Sequence, residues 1–415
     1  MSSSCRKLYV TLGAGAVFGM GHGCAAAANW EFLPRIEAGG TYNDNYRLAN
    51  ASAEKLRVYG PYLDAQVSAA LQSEASKLEI IPRVRSDLFP GDHADQSTDG
   101  YLDIDGDYKT PRSDLGGHAQ YSDETVIYSE LLPATFPGVA LGEVVQGVSG
   151  LVSVRNRRQL GRVQPRYSYD LTERKHLILT ADLTHVSYQR KLPGEVDYND
   201  YQGAAGLAFD VSPLSVFTVS GRADHFVPRF GNPPTTRYGA DLQWDLREQI
   251  MHYYARLGAS HTQSQATRSA SRNGIIGGMG VDLRYPITEV TIDAQRDFAP
   301  SAAGAVVITD VARFRVLHAF EPRFSGFVGA NALRQRGQSG LPGLAIAGED
   351  YVAAEAGVDY QITQSYRIQA TYDLTWQRFQ GTPSASSNAV ALAFIYQPLS
   401  RYQPLPELYG IPEER

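Results

Sequence analysis

The feature that most constrains this chain is an alternation of apolar and polar residues with a period of two. In 366–376 the even positions carry Tyr, Ile, Ala, Tyr, Leu and Trp, whereas the odd positions carry Arg, Gln, Thr, Asp and Thr. The same pattern occurs in 238–246, 275–285 and 352–360. Successive side chains of a β-strand point to opposite faces, so each segment predicts a strand with one apolar and one polar face.

Two kinds of all-β fold share this pattern, a soluble sandwich and a membrane barrel. The predicted strands run about 12 to 15 residues, whereas strands of soluble sheets usually have about 5 or 6. A tilted strand needs about 9–11 residues to cross a bilayer. Aromatic residues gather near the ends of the apolar faces, as in the girdles of membrane barrels. The residues that show this placement are Tyr285, Tyr360, Tyr366, Trp376 and Tyr396.

The lengths of the connections separate the two folds. Short turns, such as 110–112 and 363–364, alternate with longer polar segments, such as 299–304 and 335–349. Membrane barrels have short periplasmic turns and long external loops. The sequence therefore predicts a transmembrane antiparallel up-and-down β-barrel of about 18 strands (16–18), placed in a bacterial outer membrane with both termini periplasmic.

The two ends of the chain predict separate segments. A basic start, an apolar stretch and small residues before position 29 indicate a signal peptide over 1–28. The barrel is predicted over 29–398, followed by a Pro-rich periplasmic tail over 399–415 that either docks to a periplasmic export protein or is disordered. Cys5 and Cys24 both lie in the leader, so the exported chain is expected to have no disulfide, thiolate metal site or Cys nucleophile.

The polar residues at alternate positions of the predicted strands are expected to line the lumen. Both signs of charge occur, so no simple ion selectivity is indicated. One reading is that these groups pair across strands and keep the wall polar, and the other is a hydrogen-bonding wall for a hydroxyl-rich solute. The channel-lining candidates are Asp64, Arg83, Arg85, Asp87, Asp103, Asp105, Arg222, Asp241, Asp245, Arg256, Asp282, Arg284, Arg313, Arg315, Glu355, Asp359, Arg367 and Asp373.

Motifs for metals, cofactors and catalysis are weak. Asp95, Ser97 and Asp99 have the spacing that opens a calcium loop, but Gly106 stands where the closing glutamate belongs. His261 with Ser260, and His185 with Asp182, come nearest to a catalytic arrangement, and both are read as residues of polar strand faces. The sequence therefore predicts no enzyme and no cofactor, and its net charge of −6 argues against a nucleic-acid partner.

The segment 131–155 stands out among the loops because it is rich in small apolar residues and poor in charge. A long loop of this kind can fold into a barrel and narrow its pore. An ordinary hairpin or a packed external loop explains the composition as well.

Three short segments resemble a known family. They are Thr-Tyr-Asn-Asp-Asn at 41–45, Gln-Pro-Arg-Tyr-Ser-Tyr-Asp-Leu-Thr-Glu-Arg at 164–174, and the strand at 392–396. They are similar to the β-barrel porin 2 family, whose members include outer-membrane proteins encoded with exopolysaccharide systems, some of them PEP-CTERM-associated. The resemblance implies a channel that exports a polysaccharide together with periplasmic components, and it supplies no functional residues.

The leading functional hypothesis is therefore a porin-like channel for exopolysaccharide export. A general or small-solute diffusion porin is the alternative, and an outer-membrane enzyme or structural anchor is a third reading. In each case outer-membrane lipid and lipopolysaccharide are the expected surroundings of the barrel.

Overall fold

The structure is a computed structural model, and it describes residues 29–51, 54–90, 96–126, 156–191, 195–229, 233–264, 271–336 and 348–399. The predicted leader, all of segment 131–155 and nearly all of the predicted tail lie outside these ranges. Among the described residues, no helix is long and apolar enough to cross a membrane.

The described residues form eighteen β-strands of 12 to 17 residues. Each strand pairs antiparallel with the next along the chain, and β1 closes the sheet on β18 through residues 36–43 and 389–396. The predicted count and architecture are confirmed. The strands are β1 Asn29–Asn43, β2 Val58–Gln72, β3 Ser76–Asp87, β4 Ser97–Lys109, β5 Ser113–Thr125, β6 Arg157–Thr172, β7 Lys175–Tyr188, β8 Tyr198–Ser212, β9 Ser215–Pro228, β10 Thr235–Arg247, β11 Met251–Ser264, β12 Ser271–Tyr285, β13 Thr288–Ser301, β14 Ala305–Glu321, β15 Phe324–Arg336, β16 Glu349–Gln361, β17 Tyr366–Phe379 and β18 Ala385–Tyr396.

The apolar face of each strand points away from the barrel axis. On β10 the side chains of Tyr238, Leu242 and Trp244 are exposed, whereas Asp241 between them is buried. On β17 the even-numbered residues are likewise the exposed apolar ones. A soluble protein seldom exposes an apolar surface of this extent, and a closed barrel leaves no unpaired strand edge in lipid. The molecule is therefore a transmembrane β-barrel.

The two ends of the barrel differ in their connections. At one end, here called the turn end, consecutive strands are joined by two to four residues, as at 110–112, 173–174 and 286–287. At the opposite end, the loop end, most connections are longer. The predicted alternation of short and long connections is present, and which side of a membrane each end faces stays a prediction.

One connection at the loop end departs from the sequence prediction. A polar loop was expected over 299–304, but β13 continues to Ser301 and β14 begins at Ala305, so the turn consists of 302–304. The prediction of a longer polar connection at this position is wrong, because the turn is short and the strand pair is buried at its tip.

Candidate functional site

The polar face of the wall points into the lumen. All of the sequence-predicted lining residues lie on this face, since each alternates with exposed apolar residues of its strand. Arg83 on β3 donates to both carboxylate oxygens of Asp64 on β2, with Nε–O distances of 2.9 and 3.0 Å. Other contacts on the inner face join Arg85 to Asp87, Arg284 to Asp282, Arg313 to Asp293, Ser220 to Asp241, His252 to Asp245 and Arg367 to Asp359.

Several charged residues of the lumen are less well compensated. His118 lies 3.1 Å from Asp105 and 3.9 Å from Asp103, so two neighbouring carboxylates of β4 share one imidazole. Glu355 and Asp373 lie directly opposite each other on β16 and β17. Arg315 on β14 is exposed and forms no ion pair or hydrogen bond with any residue that the structure describes. The reading in which lumen charges pair across strands is thus favoured for most candidates, but among the described residues it is not favoured for Asp103, Asp105 and Arg315.

Residues 297–307, here called the inward hairpin, leave the barrel wall. The pairing of β12 with β13 ends at Gly277 and Arg296, and the pairing of β14 with β15 starts at Ile308. Between these points β13 and β14 pair with each other alone, as far as Ser301 and Ala305. The tip of this strand pair is therefore free to turn away from its neighbours in the sheet.

Burial shows which way the inward hairpin turns. Its residues are buried on both faces, and the exposed fractions of Phe298 and Ala302 are 2% and 0%. A Cβ atom built on Gly274, on the inner face of β12, would lie 2.5 Å from the Phe298 ring. Gly274 thus allows the ring to pack directly on the inside of the wall. The hairpin lies within the mouth of the barrel at the loop end.

The tip reaches strands that are far away around the wall. The Val196 N–H, in the connection between β7 and β8, donates to the Ala302 carbonyl at 2.8 Å. Six strands lie between β7 and β14, so the hairpin extends across the lumen. Its apolar residues Phe298, Ala302 and Val306, together with the adjoining Ile308, pack in one buried cluster with Val126, Val186, Tyr188, Tyr198, Phe226 and Ile276.

Asp297 anchors the base of the inward hairpin. Its side chain is 3% exposed, and both of its oxygens accept hydrogen bonds from the Arg222 guanidinium, at 2.9 and 3.0 Å. Arg256 donates to the same carboxylate at 3.0 Å. Bidentate bonds between arginine and a carboxylate are among the strongest polar contacts in proteins. Strands β9 and β11 therefore hold β13 across the interior.

A third arginine completes this anchor. Arg237 on β10 donates to the Phe298 carbonyl and to Asp224, and its guanidinium lies 3.7 Å from Asp297. Arg237 is buried, and such a cation is tolerated when carboxylates and a carbonyl surround it. Three positive charges thus converge on the strand from which the hairpin departs.

A cavity of about 590 Å³ lies in the lumen next to this anchor. Arg222 and Arg256 form part of its lining, together with carboxylates, amides and hydroxyls. Sites for small molecules in proteins commonly have volumes of about 300–1,000 Å³. The remaining polar lining includes Asp105, Asp182, Asp241, Gln202, Gln243 and Ser220.

The candidates for metal binding and catalysis receive no geometric support. Asp95 lies outside the described residues, and Asp99 accepts hydrogen bonds from the Thr125 N–H and hydroxyl at 3.0 and 2.9 Å. Among the described residues, no group of three or more His, Cys, Asp or Glu is placed to hold a metal ion. His261 lies on the outer face, 2.7 Å from Asn273, whereas Ser260 is buried on the opposite face.

Sequence reasoning missed the inward hairpin and the role of Asp297. The available signal was the loss of alternation in 298–309, where no charged residue occurs between Asp297 and Asp310. The segment 131–155, which is the sequence candidate for narrowing the pore, lies entirely outside the described residues. The closed wall, the charged lumen and the hairpin across its mouth together define a transmembrane β-barrel with a constricted lumen.

No protein-family model and no curated protein matches the sequence. The chain is similar to the solved structure of Pseudomonas aeruginosa OccK2 (OpdF) in complex with glucuronate, with 11% identity, a TM-score of 0.46, and coverage of 89% of this chain and 99% of that one. It is also similar to the outer membrane channel DcaP of Acinetobacter baumannii, with 10% identity, a TM-score of 0.42, and coverage of 89% and 97%. These identities and TM-scores are too low to bear on function, and the β-barrel porin 2 resemblance stays a prediction.

Proposed function

We propose that this chain is an outer-membrane channel for the diffusion of small polar solutes. The observation that carries the proposal is the inward hairpin, which crosses a charged lumen while a cavity of about 590 Å³ remains beside it. Closed barrels with apolar exteriors are the β-architecture of bacterial outer membranes. A polar lumen in such a barrel provides an aqueous route.

The lumen is suited to weak and transient binding. Most charged groups have a partner on the wall, as in the pair Arg83–Asp64, so a passing solute exchanges hydrogen bonds with groups that are already satisfied. Conduction requires binding that favours entry and still permits release. Paired charges meet this condition better than isolated ones do.

Polysaccharide export was the leading expectation from the family resemblance, and it has less support than diffusion. A polymer passing through the barrel would have to displace the inward hairpin, whose anchor includes the Arg222–Asp297 ion pair and a buried apolar cluster. No comparison favours export. The small-solute alternative requires no such displacement.

Liposome swelling tests the proposal directly. Purified barrel is reconstituted into liposomes, which are diluted into isosmotic solutions of arabinose, glucose, sucrose and raffinose. We expect rapid swelling with the monosaccharides and a steep decrease with larger sugars. Liposomes that stay impermeable to every sugar would indicate a plugged barrel, and equal permeation by all four would indicate a wide pore, so either result overturns the proposal.

A further inference from the structure

A row of charged residues crosses the outer face of the barrel at the loop end. The backbone register places Arg296 opposite Asp310, Asp310 opposite Arg334, Arg334 opposite Asp350 and Asp350 opposite Arg378. These five residues lie on successive strands from β13 to β17. These residues have the same parity as the exposed apolar residues of their strands, so they point away from the lumen. We call them, together with Arg336, the arginine row.

Within the row, each carboxylate is shared by two arginines. Asp310 accepts from Arg296, at 2.5 and 2.9 Å, and from Arg336 at 3.3 Å. Asp350 accepts from Arg334 at 2.6 Å and from Arg378 at 2.7 Å. Each of these two groups contains two guanidinium ions and one carboxylate. The row therefore carries one surplus positive charge per group.

Toward the residues that the structure describes, the arginines of the row leave several hydrogen-bond donors unused. The side chains of Arg334, Arg336 and Arg378 are 61%, 51% and 53% exposed. A guanidinium has five N–H donors, and each of these three uses one of them in the contacts above. The remaining donors face outward, where they are available to an anion that lies against the barrel.

The position of the arginine row along the membrane normal follows from β17. Its outward residues from Tyr366 to Trp376 are apolar and span about 33 Å along the strand at about 3.3 Å per residue. At a strand tilt of about 40° this corresponds to about 25 Å along the membrane normal, the usual height of the apolar band. Arg378 is the next outward residue, and its guanidinium lies 5.6 Å from the centre of the Trp376 ring. The row is thus at the level of the lipid headgroups.

Elsewhere on the described part of this boundary, the outer face carries neutral and balanced contacts, and also Asp197, which Lys191 and Arg229 both contact. His185 lies 2.7 Å from Asn199, and His261 lies 2.7 Å from Asn273. Arg157 is balanced by Asp123 at 2.9 Å. Neutral and balanced contacts would meet a general need for polar groups at the membrane boundary, and that need does not explain four arginines around two aspartates on adjacent strands.

We propose that the arginine row binds the phosphate groups of lipid A in the leaflet at the loop end. Arginine matches phosphate through parallel N–H donors and is weakly hydrated for a cation, which favours an anion at the membrane boundary. Phosphates placed along the row would neutralise its two surplus charges. The proposal rests on the outer-membrane placement given above and on the predicted orientation with the loop end outside, but it does not depend on which solute crosses the lumen.

The test uses full-length protein in detergent and measures binding of bisphosphorylated and enzymatically dephosphorylated lipid A by native mass spectrometry. The double variant Arg336→Gln/Arg378→Gln removes the surplus and leaves the balanced pairs Arg296–Asp310 and Arg334–Asp350. The matched control is Arg284→Gln/Arg315→Gln, which removes two exposed arginines from the lumen. Heat-modifiable migration on gels confirms that every variant is folded.

We expect wild type and the lumen control to bind the bisphosphorylated lipid at least about tenfold more tightly than the dephosphorylated one, and the row variant to lose this preference. The proposal is overturned by equal binding of both lipids to wild type, or by a row variant that behaves like wild type. It is also overturned if about 10 mM inorganic phosphate displaces the lipid, since the site would then recognise free phosphate. Channel conductance of the same samples separates this outcome from a failure of the diffusion proposal.

Discussion

Arg222 on β9 holds both carboxylate oxygens of Asp297 on β13, although three strands lie between them in the wall. This contact is made across the interior, where β13 leaves its neighbour β12. It shows that the inward hairpin is fixed by charge at its base as well as by apolar packing at its tip. The constriction of the lumen is thus part of the folded barrel.

The Asp297→Ala variant tests the anchor. Loss of the Asp297 carboxylate leaves Arg222, Arg237 and Arg256 without the partner that they share. Removing one partner of a buried ion pair lowers the free energy of unfolding by about 3–5 kcal/mol. We expect a lower urea midpoint and a larger single-channel conductance. Asp350→Ala, on the outer face, serves as the control and should leave conductance unchanged. Loss of stability with unaltered conductance would show that Asp297 does not position a constriction.

Gly274→Val tests the packing of the hairpin without changing any charge. A side chain at this position would overlap the Phe298 ring, which lies against the Gly274 backbone. Overpacking of this kind costs about 1–3 kcal/mol and is expected to push the hairpin away from β12. Single-channel conductance should rise, as for Asp297→Ala. A conductance equal to that of wild type would mean that the ring has no part in the constriction.

The inner face of β4 predicts a preference for cations. Asp103 and Asp105 share one histidine, and their side chains are 33% and 53% exposed. Carboxylates that line a pore raise the local concentration of cations. Reversal potentials in a KCl gradient should show K⁺ favoured over Cl⁻, and Asp103→Asn/Asp105→Asn should reduce the ratio. Asp123→Asn, on the outer face of β5, should not change it. An anion preference in wild type would refute the assignment of these residues to the conducting path.

The lipid-facing surface can be tested on β10. Leu242 is 48% exposed near the middle of the apolar band, so Leu242→Arg should destabilise the barrel by about 2–4 kcal/mol in lipid. Gln243→Arg, on the inner face, should be tolerated because Asp241 and Asp245 flank it on the same face. Urea unfolding in vesicles measures both variants. Equal destabilisation by the two changes would show that the faces are assigned incorrectly.

The wall of the barrel was predictable from sequence because the residues of each strand reflect the two environments, lipid and water, that the strand itself contacts. The alternation in 366–376, for example, depends on lipid on one side and water on the other, and needs no knowledge of distant residues. The inward hairpin was not predictable in this way. Its position depends on Arg222, Arg237 and Arg256, which lie on three other strands, and on the absence of a side chain at Gly274.

The arrangement of charged residues was only partly predictable from the sequence. The sequence placed the lumen candidates on one face of each strand but did not show which of them pair. Asp64 and Arg83 are joined across adjacent strands, whereas Asp103 and Asp105 have a histidine and no arginine as ion-pair partner among the described residues. The arginine row was missed because its residues occupy outward positions, which the alternation assigns to apolar side chains. Register between five strands is required to see that they are neighbours.

The most direct test of the constricted channel is the single-channel conductance of a variant in which residues 298–307 are replaced by a short Asn-Gly turn. The wall pairs of β13 with β12 and of β14 with β15 lie outside this segment, so the barrel itself is retained. If the inward hairpin constricts the lumen, this variant has a conductance several times that of wild type and admits larger sugars in the swelling assay. A conductance and a size limit equal to those of wild type would contradict this role of the hairpin.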